Sequence, residues 1–198
     1  MCVHVAQSYK TIHKFQQITR LPFRFGFDHS KVVGYATAGK TTIVVAATLK
    51  DTEGNLQKFI TNCGWGTNIG NNLAFNARFE TMASKPTWRN SVQDQRILVP
   101  VDGFYERGYY IRPEDPDKAF ALAGITVMNS HHQAIIATRP AAKAIAAIHT
   151  RMPVIVPVDK WNDWLNPEVP FSEFANLINL SFPFGIERSG EHSESKAS

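Results

Sequence analysis

The chain has 198 residues, which fits one domain or two small ones, and is long enough to bury a core without disulfide or metal staples. An apolar fraction of 43% and a charged fraction of 19% place it with soluble globular proteins, and no apolar run approaches the roughly 18–20 residues of a membrane span. The net charge of +4 is uneven: residues 1–50 hold seven Lys/Arg against one acid, Asp28, whereas residues 151–198 hold four against seven, so the basic first quarter suits an anionic partner.

Residues 5–19 are polar with scattered apolar positions and predict a short helix, and residues 20–30 are Phe-rich and irregular. Strand signals then dominate. Thr41-Thr42-Ile43-Val44-Val45 is β-branched, residues 56–63 alternate loosely, and Asp51-Thr52-Glu53-Gly54-Asn55 is a turn between the two. Residues 97–101, 120–127, 134–138 and 154–158 are apolar runs of strand length. Helices are expected at 76–84 with Asn76 as N-cap, at 140–148 with Pro140 in the first turn, and at 158–165 and 171–180. This pattern predicts an α+β fold, a mainly antiparallel sheet or barrel-like core flanked by short helices in a single domain over residues 1–185. Residues 186–198 are polar and read as a disordered tail.

Gly34-Tyr35-Ala36-Thr37-Ala38-Gly39-Lys40-Thr41 matches the phosphate-binding pattern G-x-x-x-x-G-K-[ST]. That loop needs a following helix, whose N-terminal amides hold the phosphate. Here Thr42-Ile43-Val44-Val45 follows, a strand-forming run, so the match is rejected.

Of the two cysteines, Cys2 and Cys63, the first is chemically distinctive. The N-terminus has no secretory pattern, so reduced thiols are expected. Removal of Met1 would give Cys2 a free amine beside its thiol. An α-amine titrates near pH 7.7–8.0, about two and a half units below lysine, and is therefore partly neutral and nucleophilic at pH 7. A 1,2-aminothiol adds to an aldehyde as an imine, and the thiol then closes a thiazolidine. Cys63, beside Gly64-Trp65, reads as a buried structural thiol. His131-His132 reads as a solvated loop, and Trp161 and Trp164 as one core-facing helix edge.

Other segments combine residues able to support that chemistry. Asn76-Ala77-Arg78-Phe79-Glu80-Thr81 holds an amide and charges, and Val99-Pro100-Val101-Asp102-Gly103-Phe104-Tyr105-Glu106 runs an apolar strand into aromatics and a carboxylate. Burial beside aromatics would tune Glu106 toward acid/base work. In Ile148-His149-Thr150-Arg151-Met152-Pro153 the histidine closes a helix, where the dipole favours imidazolium. Taken singly, each residue has an ordinary structural explanation.

Together, Met1-Cys2, Gly64-Trp65-Gly66, Asn76-Ala77-Arg78 with Glu80-Thr81, Asp102 to Glu106, and His149 to Pro153 resemble the SOS response-associated peptidase (SRAP) family of abasic-site processing proteins. The resemblance covers Cys2 to about Leu165. It implies a DNA damage response enzyme that binds abasic sites in single-stranded, junction or gapped DNA and cross-links them as a thiazolidine. It implies Cys2 as nucleophile, Asn76 holding the N-terminus, Glu106 as general acid/base and His149 assisting sugar-ring opening. It further implies Arg78 and Arg151 on phosphates and Trp65 packing on nucleic acid or shaping the cleft. It calls for no metal and no organic cofactor, and suits a monomeric, cytoplasmic protein that joins the nucleoid when bound to DNA.

The sequence departs from the family at Val3-His4 instead of Gly-Arg, at Thr67-Asn68-Ile69, and at Ala36 to Lys40, which lack the usual proline. Arg107 replaces a tryptophan; its guanidinium plane can stack on bases and pair with phosphate. Two other readings remain open from the residues: a cysteine hydrolase using Cys2 and His149, and a non-catalytic single-stranded DNA-binding module.

Overall fold

The computed structural model of the chain describes residues 2–32, 34–115, 117–128 and 132–189. In chain order the strands are β1 (His4–Ala6), β2 (Ala36–Thr37), β3 (Thr42–Lys50), β4 (Leu56–Trp65), β5 (Thr67–Ile69), β6 (Asn72–Ala74), β7 (Asn76–Arg78) and β8 (Arg96–Pro100). They continue as β9 (Gly103–Glu106), β10 (Tyr109–Pro113), β11 (Ala121–Met128), β12 (His132–Pro140), β13 (Arg151–Pro153), β14 (Ile155–Val156) and β15 (Phe184–Arg188). The α-helices are α1 (Tyr9–Thr19), α2 (Phe79–Met82), α3 (Arg89–Asp94), α4 (Lys143–Ala146) and α5 (Trp161–Trp164), and Phe171–Asn179 forms a 3-10 helix.

The β-branched run at the start of β3 is extended, as its sterics demand, and pairs with β4 along its whole length. β3 also pairs β8, β8 pairs β11, and β11 pairs β12. β12 then returns to β4 in parallel, which closes these strands into a barrel. β7 and β13 extend the barrel wall from β12, and β14 from β11. A second, antiparallel sheet has the order β15-β10-β9-β1-β2. The observed architecture is the mixed, mostly antiparallel α+β fold expected from the pattern.

Alternate residues along the barrel strands feed two cores. Val44, Ala46 and Leu98 pack with Ile12 and Phe15 of α1 and with Trp161 and Trp164. Ile43, Val45, Ile97 and Val99 pack with Cys2, Val5, Phe104 and Ile111 of the smaller sheet. Burial on both faces explains why residues 97–101 read as a continuous apolar run instead of an alternating one.

Several expected elements take a different form. Asn76 does not cap a helix: it pairs with Ile136 in β7, and only Phe79–Met82 is helical. Pro140 is the last residue of β12, and the helix after it is confined to Lys143–Ala146. Strand β15 spans the boundary expected at residue 185, since Ile186, Glu187 and Arg188 pair with Ile111, Tyr110 and Tyr109. Residues 190–198 of the expected tail, and His131 with the His132 side chain, lie outside the described residues. The rejected phosphate-loop match does run into strand β3. No helix of the described residues is long and apolar enough to cross a membrane.

Candidate active site around Cys2

Cys2 lies just ahead of β1, the strand held between β2 and β9. It is 1% exposed, and its Sγ donates to His4 O at 3.5 Å. Burial, then the Glu106 carboxylate, push the thiol up to about 12, so it stays protonated at neutral pH.

Asn76 reaches the same residue from the barrel. Its Nδ2 donates to Cys2 O at 2.9 Å, while its buried Oδ1 has no partner among the described residues. The strand that carries Asn76 is braced by Trp65, whose indole N–H donates to Phe75 O at 3.2 Å. Trp65 is 2% exposed, so it shapes the wall behind Asn76 and presents no open ring face. Gly66 follows it with φ +99°, a conformation costly for a side chain, and donates to Ala134 O at 2.9 Å.

Glu106 ends β9 and is 7% exposed. The following hairpin loop is Arg107-Gly108, both at positive φ (48° and 78°), with Glu106 paired to Tyr109 across it. A two-residue loop with both φ values positive matches the twist of its strands. It turns Arg107 outward into solvent while Glu106 stays inside. β1 and β9 therefore bring Cys2 and Glu106 together although they are far apart in sequence.

His149 lies beyond α4, where its N–H donates to Ile145 O at 3.0 Å. Its Nδ1 accepts the Arg151 N–H at 2.9 Å. The same nitrogen stands 3.1 Å from Arg151 O, so the Arg151 backbone holds the ring in place. Ile145 and Ile148 pack in the same extended apolar core as Cys2.

The three arginines differ. Arg78 and Arg107 are exposed. Arg151 is held by Glu80 in a two-pronged ion pair, 2.6 Å for Nη1–Oε1 and 2.9 Å for Nη2–Oε2, and its Nη2 also donates to Thr138 O at 2.6 Å. The Arg151 guanidinium in turn holds the Glu80 carboxyl below the usual range. An open groove of 500 Å³ passes beside the site, lined by Lys40, Thr41, Gly64, Trp65, Asn68 and Gln133 among others. It connects to Cys2 through the loop ahead of β3: Ala38 N donates to Val3 O at 2.9 Å and Gly39 N to Trp65 O at 2.7 Å. Among the described residues no cluster of three His, Cys, Asp or Glu could hold a metal ion.

Sequence reasoning missed the partners that fix these groups. Glu80 and Arg151 are 71 positions apart, and nothing in their local patterns pairs them. The bond from Trp65 to the carbonyl ahead of Asn76 likewise has no local signal.

Two Bacillus subtilis proteins named as abasic site processing proteins match in part: YoaM is 35% identical over 54% of this chain and 53% of its own length, and YobE 31% identical over 61% of each. The chain thus spans about half to three-fifths of the length of these curated relatives. In solved structures the fold is that of a phage-related protein from Bordetella bronchiseptica (TM-score 0.69, 22% identity, 94% of this chain and 93% of that one). A Bacteroides thetaiotaomicron protein is similar at TM-score 0.64 and 22% identity, over 89% of this chain and 86% of that one. The family model described as SOS response associated peptidase matches residues 1–184, and the chain belongs to that family.

Proposed function

We propose that the protein processes abasic sites in single-stranded DNA by forming a covalent thiazolidine through Cys2 after Met1 is removed. The observation that carries this reading is the clamp of Asn76 on Cys2 O at 2.9 Å beside a buried Glu106. It fixes the backbone of a residue whose nitrogen would be the attacking atom. The names of the Bacillus subtilis relatives, abasic site processing proteins, support the substrate.

In this scheme the neutral Cys2 amine adds to the ring-opened sugar aldehyde and water leaves, giving an imine. The thiol then adds across the C=N bond: sulfur bonds to carbon, its proton passes to nitrogen, and nothing is oxidised or reduced. Glu106 donates the proton that water departure needs and takes one back on reversal. His149 assists sugar-ring opening by moving a proton from the C1′ hydroxyl to the ring oxygen as the bond between C1′ and that oxygen breaks. Arg78 and Arg107 meet phosphates, Arg151 does so while held by Glu80, and Trp65 shapes the cleft by holding the Asn76 strand.

The protonated thiol disfavours the cysteine hydrolase reading, which needs an activated thiolate. It suits a sequence in which the amine attacks first and the thiol closes the ring second.

The test is incubation with an abasic single strand followed by a denaturing gel, with intact mass establishing that Met1 is absent. Wild type should give an adduct, Cys2→Ala none, and Glu106→Gln one that forms about a hundredfold more slowly. An adduct from Cys2→Ala at the wild-type level would refute the scheme. Binding without any adduct from wild type would favour a non-catalytic DNA-binding module.

A further inference from the structure

The smaller sheet carries a row of aromatic side chains that the proposed chemistry does not use. His4 pairs with Tyr105 and Tyr105 with Tyr110 across β1, β9 and β10. Residues directly opposite on neighbouring strands project to one face. Their neighbours Val5, Phe104 and Ile111 point the other way and are buried, so this row is the outer face. Gly103 makes room for it: a Cβ there would stand 2.7 Å from Tyr110 Cε2.

Tyr35, just before β2, joins the row. Its ring stacks on His4 at a centroid distance of 5.0 Å and 23°, and meets Tyr105 at 5.0 Å and 64°. Tyr105 and Tyr110 continue the row at 4.8 Å. These contacts fix the Tyr35 ring, yet it is 47% exposed. His4 Nδ1 is 3.1 Å from Thr37 Oγ1, and burial followed by the nearby Lys40 ammonium lowers its pKa, which keeps its ring neutral. Exposed Lys40 stands at one end and exposed Arg107 at the β9–β10 turn, while Glu187 at the far end is paired with Arg112 at 2.5 Å.

We propose that the Tyr35–His4–Tyr105 cluster is a base-stacking subsite for an unpaired nucleobase of the DNA strand whose abasic nucleotide meets Cys2. This rests on the DNA reading above and extends it to the neighbouring nucleotide. The chemistry of the row selects such a ligand: a pre-ordered aromatic surface offers π-faces to any base, and the flanking cations match the phosphates between bases. A ring fixed before binding also loses little side-chain entropy when a base lands on it.

The experiment measures anisotropy binding of a lesion-free single strand containing 2-aminopurine, with thermal melts confirming that each variant is folded. Tyr35→Ala should bind roughly tenfold more weakly, with the 2-aminopurine quenching reduced. Tyr35→Phe should stay within about twofold of wild type, while Tyr35→Leu should fall with Tyr35→Ala, since stacking needs a π-face. The salt slope should be unchanged in all three, because no phosphate contact is removed, but should decrease in Lys40→Ala. Wild-type affinity in Tyr35→Ala, equal affinity of the Leu and Phe variants, or no binding by wild type would each overturn the proposal. The adduct assay is scored separately. A wild type that binds and quenches but forms no adduct sinks the cross-linking scheme alone, and a normal adduct with undiminished Tyr35→Ala binding sinks the stacking subsite alone.

Discussion

At the scale of single residues, the site consists of ordinary groups held in unusual company. Arg151 shows what such holding does. Its guanidinium meets Glu80 through two short bonds with side-chain exposures of only 16% and 28%, so both groups are oriented in advance. Because the folded Glu80 carboxyl sits below its unfolded value, the pair's contribution is fully present above the unfolded value. It is lost as pH falls through the lower folded one. Glu80→Gln removes this dependence. The variant should be less stable than wild type by about 0.5 kcal/mol at pH 7, a magnitude suited to a partly exposed pair, and the difference should shrink at an acid pH where the carboxyl is protonated in both states. Urea unfolding at the two pH values measures it; a gap that persists at acid pH would show that the pair's charge is not its source. The same variant frees Arg151, so loss of DNA affinity without loss of Arg151 itself would identify Glu80 as its positioning partner.

At the scale of elements, Asp102 explains how the first strand and the first helix are joined. Its carboxylate accepts from Ser8 N at 2.5 Å, Ser8 Oγ at 2.8 Å and Thr11 Oγ1 at 2.5 Å. Ser8 in turn caps α1 through Thr11 N. Asp102→Ala leaves the donors at this junction without their acceptor. We expect a loss of about 2–3 kcal/mol, read as a lower urea midpoint at constant slope. Asp102→Asn should recover part of it, since one amide oxygen still accepts. Equal stability of wild type and alanine variant would mean that water replaces the carboxylate at no cost. Much of this level was legible in advance. The β-branched start of β3, the Asp51 to Asn55 turn and the apolar runs of β8, β11 and β12 have strong local signals. Strands of two or three residues, such as β2 and β7, have none. Asn76 read as a helix cap because asparagine favours caps, and pairing with β12 overrode that preference. Motif resemblance identified Cys2, Asn76 and Glu106, but the bond between Asn76 and Cys2 spans 74 positions and is set only by tertiary pairing.

At the scale of the whole molecule, Cys2 sits where two sheets meet. β1 and β9 belong to the smaller sheet, whereas β7, which carries Asn76, extends the barrel wall. Neither sheet alone can place Cys2, so its position is set only when both have formed and docked through their shared apolar core. This separates the placement of Cys2 from its chemistry. Burial, the Asn76 bond and strand β1 act on the side chain and carbonyl of Cys2, and none of them requires its nitrogen to be a free amine. An uncleavable extension ahead of Cys2 should therefore leave the melting temperature within about 2 °C of the processed protein, a shift that corresponds to at most about 1 kcal/mol at this chain length. It should also leave non-covalent single-strand affinity unchanged apart from the charge of the added segment. The adduct should disappear, because an acylated nitrogen cannot form an imine. Adduct formation by the extended chain at the rate of the processed one would assign the covalent bond to the thiol alone and remove the amine from the mechanism.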